Sequence, residues 1–185
     1  MRSESLLVLV ITRRCDRRCG FCPQDFSGSD MDEGVLDAAL DGLLALMPLP
    51  RRVKLFGGEP LLRPDLVRRV LSVLSRQTPA VSVELTTHGG GLGLLKEVLA
   101  ARPEVEVFVS RVLPAVVDLP RAVHNFLLPP RESPTATVER FLRARAAGFR
   151  RFNFLPAYFT RWTDEELSLL RTRFAALLRV LNGLA

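Results

Sequence analysis

The chain has 185 residues, of which 48% are hydrophobic and 25% charged. This length suits one domain with a substantial core, and the composition excludes a disordered chain. The formal net charge is +6, but the arginines are scattered over nearly every segment. We therefore interpret the positive charge as solvated surface and expect no nucleic-acid partner. The longest apolar run near the start, residues 6–11, is too short to span a membrane, so no membrane partner is expected either.

Short strand-like runs alternate with longer helical patterns along the sequence. Strands are predicted over residues 6–11, 53–56, 81–85, 105–109, 124–128 and 152–155. Helices are predicted over about residues 32–47, 64–76, 94–101, 135–147 and 163–182. Asp30 or Asp32 can cap the first helix, and Thr163 opens a capping box in the last. Residues 112–122 contain two prolines and are predicted to be loop, so that a helix is missing or vestigial there.

All three cysteines lie in one short stretch, as Cys15, Cys19 and Cys22, with the spacing C-x3-C-x2-C. An odd number at this tight spacing argues against a disulfide framework and predicts the reducing cytoplasm as the location. Three thiolates on one loop can bind three irons of a four-iron–four-sulfur cluster, and the sequence contains no fourth cysteine for the fourth iron. An open metal position is one at which chemistry can occur. The alternative is a structural zinc site with His88 or His124 as the fourth ligand.

Two further motifs follow the second and third predicted strands. These are Gly57-Gly58-Glu59-Pro60 and Thr86-Thr87-His88-Gly89, and Ser110 ends the fourth predicted strand. Six strands that alternate with helices predict a parallel α/β sheet, with fewer units than the eight of a closed barrel. Because parallel strands end at one edge, the cysteine loop and these motifs are all expected at the carboxyl edge of the sheet, where such folds place their active sites.

The cysteine motif, with Phe21 immediately before the third cysteine, resembles that of the radical S-adenosylmethionine (radical SAM) superfamily. The two glycine-containing motifs lie where that family carries its next motifs, and the resemblance spans roughly residues 5 to 160. It implies an open, partial (β/α)6 TIM-like barrel with six mostly parallel strands. We interpret residues 1–185 as a single, compact radical SAM core domain without an auxiliary-cluster domain, since the chain has no further cysteines.

The resemblance implies a set of cofactor contacts. The iron–sulfur cluster would be bound by Cys15, Cys19 and Cys22, and its open iron would bind the methionine amino and carboxylate groups of SAM. In the family, the segment equivalent to Gly57, Gly58 and Glu59 hydrogen-bonds that amino group; the alternative for these residues is a plain turn at a helix start.

The other predicted cofactor contacts come from later strands and from the cysteine loop. Thr87 or His88 would reach the ribose or carboxylate of SAM, although His88 replaces an asparagine of many relatives and a solvated strand end is the alternative. Ser110 resembles a ribose-binding residue of the family. Phe21 is expected near the adenine, and Asn153 near the adenine or the substrate.

The function that the resemblance implies is reductive cleavage of SAM to methionine and a 5′-deoxyadenosyl radical, which abstracts hydrogen from a substrate. A reductant such as flavodoxin or ferredoxin would supply the electron. The short connection predicted between the fourth and fifth strands implies an open lateral face of the barrel, and such a face suits a peptide or protein as substrate. Two alternatives stay open at this point. One is an activase that installs a glycyl radical on a partner protein, and the other is a non-catalytic metal-binding module on a degenerate scaffold of this family.

Overall fold

The fold is built on one sheet of six parallel strands in sequential order. The computed structural model describes residues 5–22, 24, 28–48, 51–77, 81–112, 119 and 121–183. Its strands are β1 (Ser5–Thr12), β2 (Arg51–Gly57), β3 (Ser82–Thr87), β4 (Glu106–Val109), β5 (Ala122–Leu128) and β6 (Phe152–Pro156). Neighbours along the chain pair in order from β1 to β6, which leaves β1 and β6 as the two edges. The predicted open α/β sheet of six parallel strands is therefore confirmed.

Helices follow every strand except β4 in the described part of the chain, as the hydrophobic periodicity predicted. They are α1 (Glu33–Ala38), α2 (Leu44–Leu46), α3 (Pro64–Ser75), α4 (Leu92–Ala101), α5 (Pro134–Ala146) and α6 (Asp164–Asn182). A π-helical segment, Ala39–Leu43, joins α1 to α2, so the single helix predicted over 32–47 is continuous but irregular. Asp32, and not Asp30, is the N-cap of α1, and the capping box predicted at Thr163 is formed. Most of the predicted loop over 112–122 lies outside the described residues.

One face of the sheet packs against the helices and forms the core. Alternate residues of β1 to β4 point to this side, because side chains alternate along a strand, and they are buried: Leu9, Ile11, Val53, Leu55, Val83, Leu85, Val107 and Val109. A smaller cluster around Phe126 and Phe141 joins β5 to α5 and α6. The opposite face carries the intervening residues, among them Lys54, Phe56 and Thr86. None of the helices in the described part of the chain is long and apolar enough to cross a membrane.

A buried ionic network holds the loop that follows β5. Arg173 of α6 is fully buried, and its guanidinium donates hydrogen bonds to Thr137 Oγ1 at 2.8 Å, to the Pro129 carbonyl, and to Glu132 Oε2 at 2.8 Å. Arg140 donates two further hydrogen bonds to the Glu132 carboxylate. Although partial burial acts to raise it, hydrogen bonds from Arg140 and Thr137 hold the pKa of Glu132 below its ordinary value.

We predict that Glu132→Gln destabilises the protein by about 3 kcal/mol at neutral pH, because Arg173 is left buried without its charge partner. The folded pKa of Glu132 lies below the unfolded value, so its contribution is present above about pH 4.5 and is lost as the pH falls through the folded pKa. Urea unfolding of both proteins between neutral and acid pH measures this difference. The exposed Glu139→Gln on α5 is the control and should change little. A difference that stays constant down to about pH 3 would contradict the assignment.

Candidate active site

The three cysteines lie on the loop that connects β1 to α1. All three are free thiols and half-buried. The Cys22 N–H donates to the Cys19 carbonyl at 2.9 Å, which closes a turn around the exposed Phe21. The Arg17 N–H points at Cys15 Sγ at 3.4 Å. Burial raises the pKa of the Cys15 thiol by more than this hydrogen bond lowers it. Three free, partly shielded thiols on one short loop fit the donor set of an iron–sulfur cluster.

The Gly57-Gly58 segment lies directly against the backbone that leads into this loop. The Gly58 N–H donates to the Thr12 carbonyl and the Glu59 N–H to the Arg14 carbonyl, both at 2.8 Å. A Cβ atom on Gly57 would lie 2.3 Å from the Thr12 oxygen, and one on Gly58 would lie 2.2 Å from the Arg14 oxygen. Any side chain here would collide with the main chain, so both glycines are required by this close approach. The close approach that the structure shows is to the protein's own backbone, and the approach of this segment to SAM stays a prediction.

Glu59 is the most buried charged residue at this edge of the sheet, with 1% of its surface exposed. Its Oε1 accepts hydrogen bonds from the Leu61 N–H at 3.1 Å and the Thr87 hydroxyl at 2.7 Å. Its Oε2 accepts one from the His88 N–H at 2.8 Å, and the His88 Nε2 lies 3.2 Å from it. The carboxylate therefore joins the turn after β2 to the end of β3, and protein donors surround both of its oxygens.

His88 extends this connection to the cysteine loop. Its Nδ1 accepts a hydrogen bond from the Gly90 N–H at 3.1 Å, which places the proton of the neutral ring on Nε2. The Nε2 lies 2.6 Å from Asp16 Oδ1. Although burial acts to raise it, the hydrogen bond from His88 holds the pKa of Asp16 below its ordinary value. One ligand atom each from Cys15, Asp16 and His88 all lie within 4.8 Å of one another, so the end of β3 reaches the first cysteine.

The histidines bear on the zinc alternative. His124 packs on the helix side of the sheet among Phe126, Phe149 and Phe152, and its Nδ1 faces the Val109 carbonyl at 3.0 Å. Burial lowers the pKa of this ring. His124 therefore lies away from the cysteine loop, and His88 has hydrogen-bond partners at both ring nitrogens. His124 is therefore not placed as a fourth ligand. A ring nitrogen of His88 lies within 4.8 Å of ligand atoms of Cys15 and Asp16, so the zinc alternative depends on His88 alone.

The remaining predicted residues take different positions. The Thr87 hydroxyl, besides donating to Glu59, accepts from the Gly89 N–H at 2.9 Å. Ser110 lies just beyond β4 with an exposed side chain, and its N–H donates to the Thr87 carbonyl at 3.0 Å, so the two residues share the carboxyl edge. Asn153 lies near the start of β6, and its amide donates to Asn125 Oδ1 at 3.0 Å, so it is not brought to that edge. The predicted roles of these residues as cofactor contacts remain predictions.

Sequence reasoning missed Asp16 and Thr86 as site residues. Thr86 lies on the face of the sheet opposite the helices, in register with Phe108. Its hydroxyl oxygen is buried and, among the described residues, has no hydrogen-bond partner. The alternation along β3 was the available signal for Thr86, since it places this residue on the other face from Leu85 and Thr87. No sequence signal pairs Asp16 with His88.

We predict that Gly58→Ala displaces the Arg14 backbone and destabilises the protein by about 2 kcal/mol, because a Cβ atom cannot fit against the Arg14 carbonyl. Alkylation of the Cys15 thiol should become faster in the variant. Gly93→Ala in α4 is the control: its Cβ meets open space, and the change should stabilise the helix by about 0.5–1 kcal/mol. Equal stability of the Gly58 variant and the parent would show that the loop tolerates a side chain at this position.

We predict that Glu59→Gln lowers the free energy of unfolding by about 2 kcal/mol. In the parent, protein donors face both carboxylate oxygens, whereas the glutamine amide would direct its own N–H groups at some of these donors. Urea unfolding measures the change, and thiol alkylation reports whether the cysteine loop loosens with it. Glu97→Gln, which removes an exposed carboxylate bonded to Arg68, is the control and should have little effect on either quantity. Unchanged stability in the Glu59 variant would rule out the carboxylate as the connection between β2 and β3.

Known proteins resemble this chain in sequence and in fold. The family model described as Radical SAM superfamily matches residues 9–172. Two curated relatives are GTP 3′,8-cyclases, one from Mycobacterium ulcerans (strain Agy99) at 30% identity over 152 residues and one from Mycobacterium marinum (strain ATCC BAA-535 / M) at 31%. Each match covers 80% of this chain and 40% of the relative, so the chain spans about two fifths of those proteins.

Solved structures share the fold. One is described as native anSMEcpe with bound AdoMet (TM-score 0.62, 15% identity, 84% of this chain and 52% of that one). Another, native anSMEcpe with bound AdoMet and Kp18Cys peptide, matches with a TM-score of 0.64 at 14% identity, over 83% of this chain and 51% of that one. At this identity the likeness concerns the fold alone. Since the family model spans residues 9–172, the chain belongs to the radical SAM superfamily, whose members use a four-iron–four-sulfur cluster and S-adenosylmethionine.

Proposed function

We propose that this chain is the catalytic core of a radical SAM enzyme, with three irons of a four-iron–four-sulfur cluster bound by Cys15, Cys19 and Cys22. The observation that carries the proposal is the convergence of three strand ends. Glu59 and His88 connect the turn after β2 and the end of β3 to the loop on which the cysteines lie. When bound, the cluster and SAM supply a 5′-deoxyadenosyl radical that abstracts a hydrogen atom from the substrate.

The glycine motif suits the amino group of SAM through its carbonyl oxygens. The N–H groups of Gly58 and Glu59 are bonded to Thr12 and Arg14, so they are not available to a ligand. An ammonium group needs acceptors, which the main-chain oxygens of Gly57 and Gly58 provide. The Glu59 carboxylate, whose oxygens already face protein donors, is proposed to position these two residues and not to bind SAM directly.

Polar groups at the ends of β3 and β4 divide into two kinds. Thr87 and His88 are engaged within the protein, and we assign them the role of holding the site together. The exposed Ser110 side chain, and the Thr86 hydroxyl that has no hydrogen-bond partner among the described residues, remain for the ribose or carboxylate of SAM. Phe21 beside the adenine, and Asn153 near the adenine or the substrate, remain part of the proposal on the strength of the resemblance.

A peptide or protein is the substrate class that we favour. The sheet is open between β1 and β6, and on the side away from the helices β1 exposes Leu6 and Val8 at 55% and 46%. An open, partly apolar approach suits a large substrate. The curated relatives are named for a reaction of GTP, so GTP is the alternative candidate for the substrate. The reductant is proposed to be a flavodoxin or ferredoxin, and the location the cytoplasm. The interpretation of residues 1–185 as a single domain remains a prediction.

We predict that the anaerobically reconstituted protein absorbs near 400 nm, as iron–sulfur clusters do, and releases 5′-deoxyadenosine when reduced with SAM. Cys19→Ala should lower both cluster content and cleavage to background, because one iron loses its thiolate. Gly20→Ala is the control on the same loop, since its Cβ meets open space. Liquid chromatography with mass spectrometry measures the nucleoside.

Each other outcome selects another function. Full cleavage in the Cys19 variant would contradict the ligand assignment. A colourless, zinc-loaded protein, or a cluster without cleavage, would favour the non-catalytic module. Product masses with peptides and with GTP decide the substrate class, and a glycyl radical on an added partner protein would favour the activase.

A further inference from the structure

The cysteine loop is closed at its base by main-chain pairing. The chain leaves β1 after Thr12 and returns at residues 29–31, which lie antiparallel to the end of β1. The Arg13 N–H donates to the Ser29 carbonyl at 2.8 Å, and the Met31 N–H donates to the Ile11 carbonyl at 2.9 Å. Thr12 and Asp30 form the β-bridge between these two pairs. The loop with the three cysteines therefore begins and ends at one point.

The Asp30 carboxylate bonds to both sides of that base. It accepts from the Thr12 hydroxyl at 2.6 Å, and the guanidinium of Arg14 approaches its two oxygens at 3.0 and 2.7 Å. On its other side, Arg63 Nη1 lies 2.7 Å from Asp30 Oδ2. Arg63 follows the glycine motif at the start of α3, where Asp65 also binds it. We call Thr12, Arg14, Asp30 and Arg63 the Asp30 clasp.

The Asp30 carboxylate lies in a partly buried, positively charged environment that favours its ionised form. Its side chain is 24% exposed and that of Arg63 only 18%, so solvent screens the pair less than it screens a surface ion pair. Although burial acts to raise it, hydrogen bonds from Thr12, Arg63 and Arg14 hold the pKa of Asp30 below its ordinary value. The helix-capping role that the sequence allowed for Asp30 belongs to Asp32.

We propose that Asp30 is a positioning residue for the iron–sulfur cluster, which it serves by holding together the two ends of the loop that presents Cys15, Cys19 and Cys22. The inference rests on the proposed function only in taking these cysteines as the ligands. Bringing the ends of a flexible loop together costs conformational entropy. Because the Asp30 clasp already holds the loop ends together in the metal-free protein, cluster binding does not have to offset this entropy. The cluster is therefore bound more tightly.

The test compares Asp30→Asn with Asp37→Asn. The second variant is a matched control, because it removes an equal charge from an ion pair with Arg69 on the neighbouring helices. In the reconstituted proteins, iron release to a chelator should be about ten-fold faster for the Asp30 variant and unchanged for the control. In the metal-free proteins, hydrogen exchange of the Arg13 and Met31 amides should be faster by a similar factor. Urea unfolding of the metal-free variants measures the global loss of stability, and the Arg13 and Met31 amides should exchange faster than that loss accounts for.

Further variants keep the proposal falsifiable. If the Asp30 variant does not fold, Arg63→Gln is the substitute and should accelerate iron release and amide exchange in the same way. Asp65→Asn removes only the other partner of Arg63 and should leave both rates unchanged. Release and exchange rates within about two-fold of the Asp37 control would overturn the proposal, and so would an equal acceleration in the Asp65 variant. A parent chain that takes up no cluster would refute the proposed function, while amide exchange would still decide whether the clasp holds the loop.

Discussion

Burial of the Glu59 carboxylate is the constraint on which the rest of the site depends. A carboxylate with 1% of its surface exposed is costly unless donors surround it. Here the donors come from the turn after β2 and from the end of β3, so the two strand ends cannot separate without leaving that group unsatisfied. His88 in turn is hydrogen-bonded to Asp16, which lies between the first two cysteines. Glu59 and His88 together thus connect the turn after β2, the end of β3 and the cysteine loop.

The cysteine loop is restrained from two directions by different interactions. The Gly57-Gly58 main chain pairs with Thr12 and Arg14 on the sheet side, where the absence of side chains permits contact between backbones. The Asp30 carboxylate restrains the base of the loop through ionic hydrogen bonds. A site of this kind is more precise when its ligands lie beside rigid strands than when they lie on a free loop.

The polar residues at the carboxyl edge therefore serve two purposes. Glu59, Thr87 and His88 are hydrogen-bonded to one another, to Asp16 and to main-chain donors, and the role proposed for them is to hold the site together. The hydroxyls of Thr86 and Ser110 make no such contact among the described residues, and these are the groups proposed to bind a ligand. Membership of the radical SAM superfamily fits both groups, because the family's chemistry is supplied by its cofactors and the protein contributes their placement.

The sequence by itself determined the six strands, most of the helices and the edge at which the motifs meet. Apolar periodicity identifies each element, and parallel strands necessarily end on the same side. Only the tertiary structure decided what the polar side chains do there. Glu59 and Thr87 are 28 residues apart, and Asp16 and His88 are 72 apart, so no local pattern pairs them. The same holds for Asp30, which the sequence offered as a helix cap. A buried carboxylate binds whichever donors the packed strands bring within reach, and that choice exists only once the chain has folded.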